Sequence, residues 1–328
     1  MSLAIGIDLG YGNTKHACRN GVGGIVSGSF RSVVGTDAEV VSLASGFSSS
    51  VTRTEVDGVK YLLGESAAIH SPRLLDMRDR GWVNTPQYRA LLRHALEKAI
   101  EGKDTKGLNQ IVTGLPVDYW RNDKDKLKGI VNEVVHAIGF EADVEIVYQP
   151  QGSLMDIMFN EDGTLQNTEL TNNKWGIIDI GFFTTDYISV NPKKGVIDKE
   201  SGSIDSGVST ALEAIKKDVE NVHGLSNVVL HDIEEAVRKR MIRAYGKSED
   251  ISTICHKRLG ELAAEISAKI TTVWHNGATF DNVVLTGGGA EMLRYHWNLY
   301  KHSRVLPRSG MANATGYCKY ASRILARR

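Results

Sequence analysis

Two short stretches of the chain carry a carboxylate, glycines and hydroxyl side chains in the same order. The first is an apolar run that ends near Asp8 and continues into Gly10, Gly12, Asn13, Thr14 and Lys15. Glycines let backbone N–H groups approach an anion closely, and Lys15 adds a positive charge. The pattern predicts a β-hairpin whose turn binds phosphate, with Asp8 placed to hold a hydrated Mg²⁺. An ordinary hairpin, in which Asp and Asn merely favour the turn, has the same pattern.

The second stretch repeats this order near the middle of the 328-residue chain. An apolar run leads to Asp179, and Gly181, Thr184 and Thr185 follow it. A repeat on this scale predicts two duplicated domains that face each other across a cleft. One hairpin from each domain would then hold the same polyphosphate, with Asp179 as the second carboxylate near Mg²⁺.

A third glycine-rich stretch follows a strand-like run that begins at Phe280. Its three glycines are Gly287, Gly288 and Gly289, and a helical pattern comes after them. Glycines between a strand and a helix allow a ligand to approach the backbone and the N–H groups of the helix. The alternative is a flexible loop tip. The preceding strand and the two hairpins favour the ligand-binding interpretation.

Composition excludes several classes of protein. Hydrophobic residues make up 41% of the chain and charged residues 24%, and 39 basic residues balance 39 acidic ones. Zero net charge argues against direct nucleic-acid binding by the whole surface and permits self-association. No apolar run is long enough to span a bilayer, so no membrane partner is expected. The three cysteines are scattered, which argues against a zinc site and favours a cytoplasmic location.

Strand-like and helical patterns alternate along both halves, which predicts an α/β fold with mixed sheets that carry helices. A β-containing insertion is predicted over about 21–80, and a helix begins after Thr85 with Pro86 at its first position. An unusually basic helix is predicted over about 231–245. A helix from Met311 through Leu325 is expected to pack back onto the first domain.

Five sequence blocks together resemble the actin-like ATPase superfamily. They are Asp8-x-Gly-x-Gly-Asn-Thr, Pro150-Gln-Gly, Asp179-x-Gly-x-x-Thr-Thr-Asp, Leu285-Thr-Gly-Gly-Gly-Ala and Asn313-Ala-Thr-Gly. Within the superfamily, the chain is most similar to plasmid-segregation proteins of the ParM/StbA type and to archaeal actin-like proteins. The resemblance implies the two-domain actin-like fold, a duplicated ribonuclease H-like fold with a nucleotide cleft between domains. Domain I is then expected at 1–165 plus 309–328 and domain II at 166–308.

The resemblance also implies roles for individual residues. The first phosphate loop would comprise Gly10, Gly12, Asn13, Thr14 and Lys15, and the second would comprise Gly181, Thr184 and Thr185. Asp8 and Asp179 would organise Mg²⁺ through water, and Gln151 would position the attacking water. Because an amide orients water but takes no proton at neutral pH, slow hydrolysis is expected. Gly207 would border the ribose, and Gly287, Gly288 and Gly289 would lie against the adenosine and the α-phosphate.

The function that the resemblance implies is a polymerising ATPase. Dynamic filaments would assemble with ATP, or GTP, and hydrolysis would control their disassembly. The expected partners are other copies of the chain and a DNA-binding adaptor protein, for plasmid or DNA segregation. The alternative is a small-molecule kinase of the same fold, for which Asp118 is the nearest candidate base.

Overall fold

The N-terminal apolar run forms a strand in which every residue is buried, because helices cover both faces of the sheet at this strand. This strand is β1 (Leu3–Leu9), and the glycine turn returns the chain antiparallel as β2 (Asn13–Asn20) and then β3 (Val26–Arg31). The elements that follow are β4 (Val34–Thr36), β5 (Arg53–Val56), β6 (Val59–Leu63), α1 (Gly64–His70), α2 (Pro86–Ile100), β7 (Gln110–Leu115), α3 (Val117–Ala137), β8 (Asp143–Tyr148) and α4 (Gln151–Met158). The computed structural model describes residues 2–21, 23–38, 51–76 and 81–328.

Five of these strands form one mixed sheet in the order β3-β2-β1-β7-β8. Strands β1, β7 and β8 are parallel, so their carboxyl ends lie at one edge of the sheet. That edge carries the turn after Asp8, the start of α3 and the segment from Gln149 to Gln151. Helices α2 and α3 cover one face, where Leu91, Leu92, Leu127 and Val131 are buried in the main core.

The predicted insertion differs from the structure at its beginning. Strand β3 lies within the stretch 21–80, yet it is the third strand of the main sheet. The inserted part is the separate three-stranded sheet β4-β6-β5 with α1 beside it. Residues 22, 39–50 and 77–80 of the predicted insertion lie outside the described residues.

The second half of the chain repeats this arrangement. Its elements are β9 (Trp175–Ile180), β10 (Thr185–Asn191), β11 (Gly195–Val196), β12 (Gly202–Ile204), α5 (Val208–His223), α6 (Leu230–Lys239), β13 (Met241–Ala244), β14 (Lys247–Asp250), α7 (Ser252–Trp274), β15 (Asn282–Thr286), α8 (Ala290–Leu293) and β16 (Ser303–Val305). The main sheet has the order β11-β10-β9-β15-β16, with β9, β15 and β16 parallel. Strand order and direction therefore match those of the first sheet.

The basic helix predicted over about 231–245 is wrong in its second half. Helix α6 ends at Lys239, and Arg240 adopts a left-handed conformation with a φ of 59°. A short hairpin of β13 and β14 follows, with Tyr245 and Gly246 at positive φ in its turn. Buried and exposed residues alternate along β13, so the period is that of a strand.

The last helix, α9 (Ala312–Leu325), packs onto the first sheet through glycines. A Cβ on Gly6 would lie 2.1 Å from the Ala314 carbonyl oxygen, and one on Gly316 would lie 1.7 Å from the Gly152 carbonyl oxygen. Tyr317 and Cys318 are fully buried in this second core of the first sheet. The helix thus packs back onto the N-terminal part of the chain, as expected.

The chain divides into two compact units. Unit 1 comprises Met1–Thr168 and Met311–Arg328, and unit 2 comprises Glu169–Gly310. The boundaries expected from the sequence, at 165 and 309, lie within a few residues of these. None of the helices in the described ranges is long and apolar enough to cross a membrane.

Candidate functional site

Asp8 lies in β1 at the edge where the parallel strands of unit 1 end, and it is 3% exposed. Its cross-strand partner in the hairpin is Lys15, whose Nζ donates to Oδ2 at 2.9 Å. Nε2 of Gln149 donates to the other oxygen, Oδ1, also at 2.9 Å. Two donors from different elements therefore fix the orientation of this buried carboxylate.

The turn after Asp8 is held from inside by hydroxyl groups. The Gly10 N–H donates to the Asn13 carbonyl at 3.2 Å and closes the turn. Ser32, just after β3, donates from its hydroxyl to the Gly10 carbonyl at 2.6 Å and from its N–H to the Gly12 carbonyl at 3.0 Å. Thr14 is fully buried, and its Oγ1 lies 2.8 Å from the Ser32 Oγ. The Thr14 side chain thus supports the turn, and its contact with a ligand stays a prediction.

Gln149 is a site residue that the sequence interpretation missed. Its backbone is fixed because its N–H donates to Leu115 at 2.7 Å and its carbonyl accepts from the Tyr317 hydroxyl at 2.8 Å. Gln151, which the motif suggested, lies at the start of α4, and its Oε1 accepts from the Tyr148 N–H at 2.9 Å. The two amides lie on either side of Pro150, and of the two it is the Gln149 amide that donates to Asp8. No local sequence pattern indicates which glutamine turns towards Asp8.

The hairpin of unit 2 repeats the backbone geometry of the first. The Gly181 N–H donates to the Thr184 carbonyl at 2.8 Å, as Gly10 does to Asn13. Thr185 is fully buried, and its hydroxyl donates to the Ser206 carbonyl at 2.8 Å. Thr185 therefore holds Ser206, which follows β12. In unit 1, Thr14 holds Ser32, which follows β3, in a similar way.

The residue opposite Asp179 in the second hairpin is another acid. Asp179 is 5% exposed, and its cross-strand partner is Asp186. The hydroxyl of Ser203 hydrogen-bonds to Oδ1 of Asp186, and that of Thr184 donates to Oδ2 at 3.4 Å. Two carboxylates in a cross-strand pair repel each other, so this position favours a bound cation.

Gly207 packs against the turn of the same hairpin. A Cβ on it would lie 2.6 Å from the Phe182 carbonyl oxygen and 2.7 Å from that of Gly181. The N–H of Val208 donates to the Gly181 carbonyl at 3.1 Å, and the N–H of Ser209 donates to the Phe182 carbonyl at 2.8 Å. The first N–H groups of α5 therefore hold the turn in place. The role of Gly207 beside a ribose stays a prediction.

The three glycines after β15 have different surroundings. Gly287 has a φ of +87°, and a Cβ there would lie 2.2 Å from Oδ1 of Asp179. A Cβ on Gly289 would lie 2.5 Å from Val208 and 2.6 Å from Ile180, so this glycine is needed for packing. A Cβ on Gly288 would meet no atom of the described residues within 4 Å. Gly288 is therefore the position where a ligand can approach the backbone.

Aromatic rings pack beside the first turn. Tyr11 stacks on Trp82 with ring centroids 4.6 Å apart, and Trp82 meets Tyr88 edge-on at 4.8 Å. Burial, followed by the negative charge of Asp8, raises the pKa of the Tyr88 phenol. Tyr88 therefore stays neutral at physiological pH beside this carboxylate.

Asp118, the candidate base for a kinase, lies exposed in the first turn of α3. An acidic side chain at this position interacts favourably with the N-terminal end of the helix. This placement accounts for the residue without a catalytic role.

The described residues thus form two half-sites of similar design. In unit 1 the structure brings Asp8, Lys15 and the Gly10–Thr14 turn together with Gln149. In unit 2 it brings together Asp179, Gly287 and the turn from Gly181 to Thr185, with Gly207 against that turn. Each combines a buried carboxylate at a strand end with a glycine-containing turn, which suits a hydrated cation and a phosphate group. The described residues contain no cluster of three or more His, Cys, Asp or Glu side chains suited to hold a metal directly.

Two family models match most of the chain. The model "Actin like proteins N terminal domain" matches residues 6–152, and "Archaeal actin homologue MreB-like, C-terminal" matches residues 177–298. No curated protein matches the chain in sequence.

Solved structures similar to this one cover nearly all of the chain. A 15-stranded ParM filament from Clostridium botulinum has a TM-score of 0.78 at 21% identity, over 98% of this chain and 99% of that one. An archaeal actin homologue in complex with ADP has a TM-score of 0.71 at 20% identity, over 97% and 99%. Bacillus thuringiensis ParM with AMPPNP has a TM-score of 0.68 at 15% identity, over 100% and 99%.

The repeated sheet and the paired half-sites define a two-domain actin-like fold. The family models and the fold together place the chain in the actin-like ATPase superfamily, as a member similar to ParM.

Proposed function

We propose that the chain binds and hydrolyses ATP and assembles with other copies of itself into dynamic filaments. The observation that carries the proposal is the duplicated half-site, with a buried aspartate and a glycine turn in each unit. The exposed backbone at Gly288 supports it further, because that position can accept part of a ligand without any loss of packing.

Mg²⁺ fits the residues that are present. Mg²⁺ in proteins keeps several waters and uses one or two carboxylates together with substrate phosphates. Asp8 accepts one hydrogen bond on each oxygen, and each oxygen retains a lone pair for a metal-bound water. Asp179 faces a second carboxylate across the hairpin, and a cation beside it would relieve the repulsion. When bound, Mg²⁺ would neutralise charge on the phosphates.

In this proposal hydrolysis depends mainly on how the side chains position the phosphate and the attacking water. Lys15 and the turn N–H groups bind phosphate oxygens, while Gln149 keeps the Asp8 carboxylate in one orientation. Gln151 orients the attacking water, with the amide nitrogen that its bond to Tyr148 leaves available. A neutral amide takes no proton at neutral pH, so turnover is slow and suits a timer for disassembly.

The filament part of the proposal is supported by the fold. Structures with the same fold include a ParM filament and a ParM described as a non-polymerisable quadruple mutant. In the proposal the chain works in the cytoplasm and moves plasmid or other DNA through a DNA-binding adaptor protein. ATP is the expected nucleotide, and GTP is the alternative to be compared with it.

Light scattering at a right angle tests the proposal directly. The purified protein is mixed with Mg²⁺ and ATP, with GTP and ADP in parallel, and phosphate release is followed at the same time. Scattering that rises above a critical concentration and decays as phosphate appears is the expected result. The Asp179→Ala variant is expected to lose either the assembly or the decay.

Flat scattering with steady phosphate release would contradict the filament and leave an ATPase. Flat scattering without phosphate release, together with no nucleotide binding in a filter assay, would contradict the whole proposal. The Asp125→Ala variant is the matched control, because Asp125 is an exposed aspartate within α3 that belongs to neither half-site.

A further inference from the structure

A segment of unit 2 outside the half-sites carries only positive charge. Residues 292–308 contain no Asp or Glu and include four basic side chains, all exposed: Arg294, Lys301, Arg304 and Arg308. The chain as a whole is neutral, so this segment is a local excess of charge. Such an excess attracts anions.

Part of this segment lines a pocket of about 310 Å³. Leu285 of β15 and the strand β16 (Ser303–Val305) contribute one part of its lining. Arg294, at the end of α8, and Trp297, in the loop that follows, contribute the other part. The pocket therefore lies where the edge strand of the second sheet meets the loop after α8.

Two of the side chains that line the pocket carry charged hydrogen-bond donors. Arg294 uses one guanidinium nitrogen to bind Glu291 at 2.7 Å, which leaves its other N–H groups. Arg304 has no ion pair with any described residue. Nε1 of Trp297 is buried and has no hydrogen-bond partner within the described ranges. Because this atom is closed off from solvent, the indole contributes a ring to the wall of the pocket and no donor to its interior.

The hydroxyl of Ser303 does not add to these donors, because it donates to the Tyr300 carbonyl at 2.6 Å. The pocket thus offers two guanidinium groups beside the ring of Trp297. Two guanidinium groups, each with several N–H donors, match the several oxygens of a phosphate better than the two of a carboxylate. The volume is at the lower end for ligand pockets, which suits a single small anionic group.

We propose that this pocket binds a phosphate group through Arg294 and Arg304. Two sources supply that chemistry: free phosphate, as inorganic phosphate or a small phosphate ester, and the phosphodiester backbone of DNA. In either case the guanidinium groups supply charge-assisted hydrogen bonds. The site belongs to unit 2 alone and does not depend on nucleotide binding at the half-sites.

Calorimetric titration of the full chain with inorganic phosphate tests the proposal, and Trp emission provides a second readout. The Arg304→Gln variant is expected to bind about tenfold more weakly or worse, because it loses a charged donor. Trp297→Phe keeps a ring in the wall of the pocket, and it is expected to bind phosphate as the wild type does. Lys193→Gln is the matched control, since Lys193 is exposed beside β11 at the opposite edge of the same sheet.

A second series replaces phosphate with a short duplex DNA and with succinate. Binding of DNA alone, lost in Arg304→Gln, would support the proposal and assign the phosphate to a nucleic-acid backbone. The proposal fails if neither phosphate nor DNA binds. It also fails if Arg304→Gln binds as the wild type does, or if succinate binds as tightly as phosphate. Arg304 is exposed, so its replacement leaves the fold intact and keeps the result interpretable.

Discussion

In the first hairpin the residue opposite Asp8 is Lys15, and in the second the residue opposite Asp179 is Asp186. The backbones agree in their closing hydrogen bond, and both use a buried threonine to hold a later serine. The charges differ, because unit 1 has a built-in cation at 2.9 Å while unit 2 pairs two acids. The two hairpins therefore share the geometry of the turn, but they differ in the charge of the residue opposite the aspartate.

This difference assigns separate tasks to the half-sites. Unit 1 neutralises its carboxylate with a side chain and holds it with Gln149. Unit 2 places two carboxylates in one cross-strand pair, and Gly287 is packed against the Asp179 carboxylate. We therefore expect the dependence on Mg²⁺ to reside chiefly in the second half-site.

The largest expected effect tests the packing of the second half-site. In Gly287→Ala, the new Cβ would lie 2.2 Å from Oδ1 of Asp179 at a φ of +87°. We expect a loss of at least about 3 kcal/mol in the free energy of unfolding, measured with urea. Gly288→Ala is the control and should keep its stability but bind ATP more weakly. Equal stability of the two variants would contradict the packing described here.

A milder contact is expected for a substitution in the turn of the first hairpin. A Cβ on Gly10 would lie 3.1 Å from the Asn13 carbonyl oxygen, a contact that small shifts can relieve. Gly10→Ala is therefore expected to destabilise the protein less than Gly287→Ala.

The second prediction concerns the two carboxylates. Asp179→Asn is expected to lower phosphate release about a hundredfold and to raise the Mg²⁺ concentration needed for half-maximal activity. Asp8→Asn should raise that concentration less, because Lys15 already balances the charge of Asp8. Magnesium titrations of the ATPase rate measure both. A larger magnesium shift in Asp8→Asn would reverse the assignment of tasks.

The third prediction exchanges the opposing residues. Lys15→Met leaves Asp8 buried with Gln149 as its remaining described partner and is expected to cost about 2 kcal/mol of stability. Asp186→Asn removes a like charge and should leave stability unchanged or raise it by up to about 1 kcal/mol. Urea unfolding curves give both values, with the exposed Lys60→Met as control. A destabilised Asp186→Asn protein would show that hydrogen bonding outweighs repulsion at this hairpin.

The smallest expected effect is a loss of stability at acidic pH. The residue after Lys15 is His16, while Tyr187 occupies the matching position in the second hairpin. Burial, followed by the charges of His94 and Lys103, lowers the pKa of His16 to about 4. The unfolded histidine titrates near its ordinary pKa of 6.5, so the unfolded state binds more protons between these values. Stability is therefore expected to fall as pH drops from about 6.5 to about 4.

Melting curves at about pH 7 and about pH 5 measure this effect. His16→Gln should reduce the difference between the two melting temperatures, and the exposed His136→Gln should not. Some pH dependence should remain in His16→Gln, because burial also lowers the pKa of His94. An unchanged difference in His16→Gln would remove His16 from the explanation.

Much of the fold could be predicted from the sequence, because its strongest signals are local. The two hairpins follow apolar runs with glycine turns, and the Thr85 side chain caps α2 as predicted, accepting from the Tyr88 N–H at 3.3 Å. The basic run around Arg240 misled the prediction, since four charged side chains hid a period-two alternation. Strand β3 was assigned to an insertion because its polar composition is that of an edge strand.

The details of the site were less predictable, because they depend on contacts between distant parts of the chain. Gln149 and Asp8 are separated by 141 residues, and no local pattern indicates their hydrogen bond. The three glycines after β15 look alike in sequence, yet packing constrains Gly287 and Gly289 and leaves Gly288 open. Such differences arise only when strands and helices have been assembled.

The packing of α9 against glycines of unit 1 affects the order in which the two units fold during synthesis. Unit 2 is one continuous segment that ends at Gly310, so all of it is synthesised before α9. Unit 1 contains segments on both sides of unit 2 in the chain, and Tyr317 of the later segment fills the space above Gly114 and Gly152 of the earlier one. Domains generally fold as units during synthesis. Unit 1 is therefore completed only after α9 has been synthesised, when all of unit 2 has already been made.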